Sequence, residues 1–130
     1  MQTAASLLFF LLLSLVIVHE LDAIRRHEWR MFVVLTKMDD ERAFQIFSTL
    51  HIPLLMVIFW LITNPSVIVV FWFEVVLDVF LIIHKFLHYS FQKHPQNEFT
   101  TSFSKGLIDL MAVVGFIQLI FIVSLRFLAS

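Results

Sequence analysis

The sequence predicts an all-α integral membrane protein, a single domain whose four transmembrane helices form an up-down bundle. Hydrophobic residues make up 60% of the 130 residues, and charged residues make up 15%. An ordinary soluble domain is roughly 45–50% apolar. The apolar residues fall in long uninterrupted runs with 2 Gly and 3 Pro, whereas membrane-spanning strands would alternate with period two. Lipid is therefore the predicted solvent of this chain.

The first predicted span covers residues 3–24, since about 20 apolar residues cross the hydrocarbon core. No Lys or Arg precedes this run and no small-residue cleavage site follows it, so a span is favoured over a secretory signal peptide. A charged connection, residues 25–42, comes next. Its apolar stretch 29–35 is too short to span, which predicts a short interfacial segment anchored by Trp29.

The remaining predicted spans cover residues 43–63, 67–91 and 105–127. Pro53 lies within the second span and frees a backbone carbonyl there. A tight turn containing Asn64 and Pro65 follows that span, and a polar loop, residues 92–104, follows the third. Connections of this length place consecutive helices antiparallel, so residues 1–130 are expected to form one transmembrane domain.

The Lys and Arg residues predict the orientation. They concentrate in connections 25–42 and 92–104 and at the adjoining helix ends. An even number of spans puts both connections on one side, which the positive-inside rule makes cytoplasmic. Both termini are then outside, and the expected location is a bacterial inner membrane. A net charge of −1 gives no basic surface for nucleic acid, and the lack of Cys excludes disulfides and thiolate metal sites.

Several metal-binding side chains fall at a similar depth near the cytoplasmic side. Two of them, four residues apart at the end of the third span, can reach one ion from the same helix face. Nitrogen and carboxylate ligands suit Zn or Fe. The predicted metal ligands are His19, Asp22, His51, His84 and His88.

Three carboxylates are predicted to take part in acid–base chemistry. Glu74 and Asp78 lie deeper in the third span, where an ionisable group costs at least about 2.5–3.5 kcal/mol and therefore faces the bundle. In the metal hypothesis, Glu20, beside His19, or Asp78 would support the metal ligands or act as a general base. A metal-free enzyme that uses Glu74 or Asp78 on an apolar substrate is an alternative.

The chain also resembles a family of small bacterial four-span membrane proteins of unknown function. The resemblance rests on the sequence HELDA at residues 19–23, HEWR at residues 27–30, the His51-Ile52-Pro53 step, and residues 77–88 of the third span. It implies that one polar centre includes these motif residues, His27 and Glu28 among them. The layout is more distantly similar to four-span proteins that act on sterols or isoprenoids, which implies a lipid-like or isoprenoid ligand.

Other functions remain open at this point. The polar residues could form a structural network, with Asp22 paired to Arg26, and HEWR could be an interfacial, charge-paired helix end. Haem could be held between His51 and either His84 or His88. The chain could also be an accessory subunit that binds another membrane protein or a second copy of itself.

Overall fold

The computed structural model describes residues 2–32 and 34–128, and within these residues it contains four long helices and no strand. The helices are α1 (Gln2–Arg25), α2 (Asp40–Ile62), α3 (Val67–Ser90) and α4 (Ser102–Leu128). A short 3₁₀ turn, Glu28–Met31, follows α1. Each long helix is apolar enough to cross a membrane. The predicted all-α, four-helix membrane fold is therefore confirmed.

Polar caps set the starts of two helices. The Asp39 carboxylate accepts a hydrogen bond from the backbone N–H of Arg42 at 3.0 Å, so α2 begins at Asp40, three residues before the apolar run. The Thr101 hydroxyl accepts from the backbone N–H of Ser104 at 3.1 Å, and α4 begins at Ser102. The predicted interfacial stretch starts as the 3₁₀ turn, and its Val33 lies outside the described residues.

Helices α1, α3 and α4 form the centre of the bundle. Leu12, Leu81 and Val114, one from each helix, are buried together in an apolar cluster. Helix α2 packs against α3 and the 3₁₀ turn, and its buried residues, Ala43 and Phe47, both lie in its first half. Large apolar side chains farther along α2 are exposed, as expected for a surface that faces lipid.

Helices α3 and α4 approach each other closely at a glycine. A Cβ placed on Gly115 would lie 3.5 Å from the backbone oxygen of Asp78 and 3.7 Å from its Oδ1. Small residues at such positions let two membrane helices pack backbone to backbone. Gly115 therefore allows α4 to pack directly against Asp78, which is fully buried.

Charged side chains gather where α1 and α3 end and where α2 and α4 begin, a region that we call the charged end. Lys85 Nζ lies 3.0 Å from Asp109 Oδ1 and joins α3 to α4. Trp29 Nε1 and Arg30 Nε both donate to Asp40 Oδ1, at 3.0 and 2.7 Å, which ties the 3₁₀ turn to α2.

Candidate metal centre

The chain reverses direction at His27, immediately after α1. His27 has φ 49° and ψ 46°, the left-handed conformation, and is the one non-glycine residue with positive φ in the described chain. Such a conformation costs a non-glycine residue about 1–3 kcal/mol and persists where the surrounding structure requires it. Here it turns the next residue, Glu28, back toward the bundle, where its side chain is buried.

Three imidazoles meet at one point inside the charged end. The Nε2 atom of His84 lies 2.9 Å from Nε2 of His19 on α1 and 3.0 Å from Nε2 of His88, one turn along α3. The i, i+4 spacing places the two α3 rings on the same face. His19 is 3% exposed, so these nitrogens converge in an environment with little water.

One hydrogen bond per ring nitrogen does not account for this arrangement. A ring nitrogen of neutral imidazole carries either one proton or one in-plane lone pair. His84 Nε2 has two Nε2 neighbours within hydrogen-bond distance. It can therefore serve both only through a shared, three-centre hydrogen bond. A cation that accepts the lone pairs of all three nitrogens is the alternative arrangement.

Glu28 supplies the fourth potential ligand. Its Oε1 lies 3.5 Å from His88 Nε2, and ligand atoms from Glu28 and the three histidines all lie within 4.8 Å of one another. Burial by itself would raise the pKa of the Glu28 carboxyl. The hydrogen bond from His88 and the attraction of the three histidines outweigh this effect and lower that pKa below its usual value. Glu28 is thus held as a carboxylate.

Aromatic rings pack against the three histidines, which together with Glu28 we call the His₃Glu cluster. The Phe99 ring lies 4.5 Å from the His88 ring and 5.9 Å from the His19 ring, measured between centroids. Phe80 lies 5.6 Å from His84 on the α3 side. These rings limit access by water, which strengthens electrostatic interactions within the cluster.

The carboxylate of Asp22, near the cluster on α1, has one oxygen without a hydrogen-bond partner in the described chain. Asp22 Oδ1 pairs with Arg26 Nε at 3.3 Å, as one of the sequence-based alternatives expected. Its Oδ2 is buried without a hydrogen-bond partner among the described residues, and so is Nδ1 of His19, three residues earlier on α1. Residues three apart are neighbours on a helix surface. Asp22 therefore lies next to His19 on α1 without hydrogen-bonding to it, and its oxygens do not join the converging nitrogens.

His51 is engaged elsewhere. Its Nδ1 donates to the backbone oxygen of Phe47 at 2.8 Å, and its Nε2 lies 3.0 Å from Glu20 Oε2. The predicted ligand set is thus divided: the structure brings His19, His84 and His88 together, and it places Asp22 and His51 in other pairs. Glu20, predicted as a supporting group or base, is the partner of His51.

The two deeper carboxylates of α3 lie away from the cluster. Asp78 is fully buried, and neither of its oxygens has a hydrogen-bond partner in the described chain. Gln118 of α4 is also fully buried with both amide atoms unpaired, and Glu74 is half-buried. Backbone from α4 packs directly on Asp78 at Gly115. This contact leaves little room for a substrate between Asp78 and α4 at that point.

Sequence reasoning did not include Glu28 among the potential metal ligands or identify Gln118 as a buried polar group. The family resemblance placed Glu28 in the polar centre, but residue spacing could not show that a left-handed His27 turns it inward. Gln118 is the one amide side chain in the apolar part of the predicted fourth span. That isolated polar residue was the feature of the sequence that could have identified it.

Comparisons with known proteins identify a family without adding an activity. No curated protein and no solved structure matches the chain. A family of unknown function, DUF6713, matches residues 5–125, nearly the whole sequence. The chain therefore belongs to the DUF6713 family.

Proposed function

We propose that this protein binds a divalent transition-metal ion within the membrane at its charged end, with His19, Glu28, His84 and His88 as ligands. The observation that carries the proposal is the convergence of three imidazole Nε2 atoms on one point beside a buried carboxylate.

The distances support a small cation. With a Zn–N bond of about 2.05 Å, tetrahedral ligand nitrogens lie about 3.3 Å apart. The two Nε2 separations of 2.9 and 3.0 Å are slightly shorter, and the four ligand atoms as a set lie within 4.8 Å of one another. Side-chain rotations that spread the two close contacts and draw the wider pairs together would admit the ion. The four ligands come from α1, the 3₁₀ turn and α3.

The ligand types favour Zn²⁺ or Fe²⁺. Imidazole and carboxylate suit both ions, whereas Ca²⁺ and Mg²⁺ prefer oxygen. Zn²⁺ held tetrahedrally by all four residues would have no open position, and the site would then be structural. Fe²⁺ with higher coordination would keep open positions, which supports the further proposal of an enzyme that acts on a lipid or isoprenoid substrate from the surrounding membrane.

The geometry supports an ion better than haem. Two axial nitrogens on a haem iron must lie on opposite faces of a porphyrin, roughly 4 Å apart, given Fe–N bonds of about 2 Å as for other imidazole ligands. The cluster nitrogens are closer together, and His51, the expected haem partner, faces Glu20.

Elemental analysis of the purified protein tests the metal centre. The protein should carry a tag without histidine and be purified in mild detergent from cells grown with Zn or with Fe. We expect about one metal ion per chain, lost in His84→Ala and retained in His94→Ala, the matched control in the loop before α4. Equal, substoichiometric metal in all three proteins would refute the proposal.

We also propose that the charged end faces the cytoplasm of a bacterial cell and that both termini lie outside. Among the Lys and Arg residues of the described chain, Arg126 alone lies near the opposite end. Because the chain has no Cys, single cysteines at Gln96 and Asn64 can report sidedness. An impermeant maleimide should label the Asn64→Cys protein in intact spheroplasts and spare Gln96→Cys; the reverse pattern would invert the topology.

A further inference from the structure

A cavity opens beside the His₃Glu cluster, between the end of α3 and the start of α4. Its volume is about 120 Å³, and His88 and Phe99, which belong to or cover the cluster, form part of its wall. Lys85, Lys105 and Asp109 line the same cavity. The cavity therefore meets the proposed metal centre at His88.

The cavity carries a net positive charge. Lys85 is neutralised by Asp109, with the ammonium 3.0 Å from the carboxylate. Lys105 is exposed and forms no ion pair with any residue in the described ranges. One cation is thus free to pair with a ligand. Lysine is a common phosphate binder that acts as a mobile point charge.

The size and position of the cavity limit the ligand. Pockets that enclose whole drug-sized molecules have volumes of about 300–1,000 Å³, so a volume of about 120 Å³ admits a headgroup and not a lipid tail. Phe99 and Ile108 are buried along its apolar side. Lys85 and Lys105 lie at the charged end, where lipid headgroups would meet the helices.

From these observations we propose that the cavity binds a phosphate-bearing anion next to the metal centre, with Lys105 as the main electrostatic contact. This inference rests on the proposed metal function and names the substrate class for it. The phosphate can belong to a membrane lipid or be free in solution, and the same cation would recognise either.

Binding is measured on protein in phosphatidylcholine nanodiscs loaded with Co²⁺, whose visible spectrum reports ligand geometry. One arm adds phosphatidic acid to the disc lipid and the other adds inorganic phosphate. We expect a change in the Co²⁺ spectrum because His88 belongs to both sites. Response to phosphatidic acid alone assigns a lipid, whereas response to inorganic phosphate assigns a soluble ligand.

Variants at exposed lysines make the test specific. Lys105→Gln should weaken binding about 10-fold or more, the value of one charge-assisted hydrogen bond, and Lys105→Arg should restore it. Lys93→Gln removes the same charge outside the cavity and should bind normally. Equal loss in both Gln variants, or no binding of either anion, would overturn the inference.

Metal content is measured on the same preparations and separates the two proposals. Normal metal content without Lys105-dependent binding refutes the phosphate site and leaves the metal centre. If the protein takes up no metal but native mass spectra show that it retains phosphatidic acid, the proposed metal-binding function is refuted instead. Binding that leaves the Co²⁺ spectrum unchanged overturns the claim that the two sites adjoin.

Discussion

His51 Nε2 lies 3.0 Å from Glu20 Oε2, although Glu20 directly follows His19, one of the converging histidines. His51 also donates to the Phe47 backbone oxygen. Both ring nitrogens are thus occupied, and a histidine that composition and depth place among the ligands serves instead to join α2 to α1.

This pairing separates two histidines that the sequence treats alike. His84→Ala removes the central nitrogen of the cluster and should weaken metal binding more than about 100-fold, beyond the usual effect of a supporting residue. His51→Ala should change the affinity by less than about 10-fold. Isothermal titration of the metal-stripped protein measures both. A similar loss in the two variants would restore His51 to the ligand set.

Asp22 should act through His19. Ligating histidines commonly donate their second nitrogen to a carboxylate, and loss of that partner costs about 10–100-fold in metal affinity. Asp22→Asn should reduce the metal affinity by an amount within this range, and Asp22→Glu should recover part of the lost affinity. The Co²⁺ spectrum provides an independent measurement, because a reoriented imidazole shifts its bands. Asp39→Asn, at the start of α2, is the control and should leave the spectrum unchanged.

The left-handed turn at His27 should be replaceable by glycine. Glycine adopts positive φ without strain. The substitution removes an exposed hydrogen bond between His27 Nδ1 and Glu98 Oε2 at 3.4 Å, which is worth little, and an edge-on contact with the Trp29 ring at 5.1 Å. His27→Gly should therefore keep normal metal content. His27→Val should destabilise the fold by about 1–3 kcal/mol, because a β-branched residue resists this conformation, and should reduce metal content by misplacing Glu28. Thermal unfolding in detergent and elemental analysis check both. A valine variant with normal stability would show that the turn is not constrained.

The close approach of α3 and α4 at Gly115 limits the size of the side chain that can replace this glycine. Alanine should be tolerated, since its Cβ would meet Asp78 at ordinary contact distances of 3.5–3.7 Å. Leucine should push the helices apart and lower stability by about 1–3 kcal/mol. Gly106→Leu is the matched control on the same helix, because nothing lies within 4 Å of a Cβ there. Equal melting temperatures for the two leucine variants would contradict this account.

The sequence was sufficient to predict the fold because the pattern of hydrophobic residues is simple. Four apolar runs of spanning length dictate four helices in lipid, and polar caps such as Asp39 adjust their starts by a few residues. Depth and the i, i+4 spacing also correctly associated His84 with His88, since both depend on one helix.

The site could be predicted only in part, because its remaining geometry depends on how helices rotate against one another. Whether His51 or Glu28 faces the histidines is set by the rotation of α2 and by one left-handed residue, His27. Neither the rotation of a helix nor a single left-handed residue leaves a periodic pattern in the sequence. Burial of Asp78 depends likewise on a glycine in a different helix.

The separation of His19 and His84 by 65 residues has a consequence for biogenesis. During translation, α1 and the turn that carries Glu28 leave the ribosome well before α3 does. Two of the four proposed ligands, His19 and Glu28, would therefore wait in the membrane until the third span has been inserted. Metal capture would then occur late, and it would distinguish chains whose insertion has reached α3. A truncated or misinserted chain that lacks His84 and His88 would remain without metal. Such a chain would stay open to quality-control proteolysis.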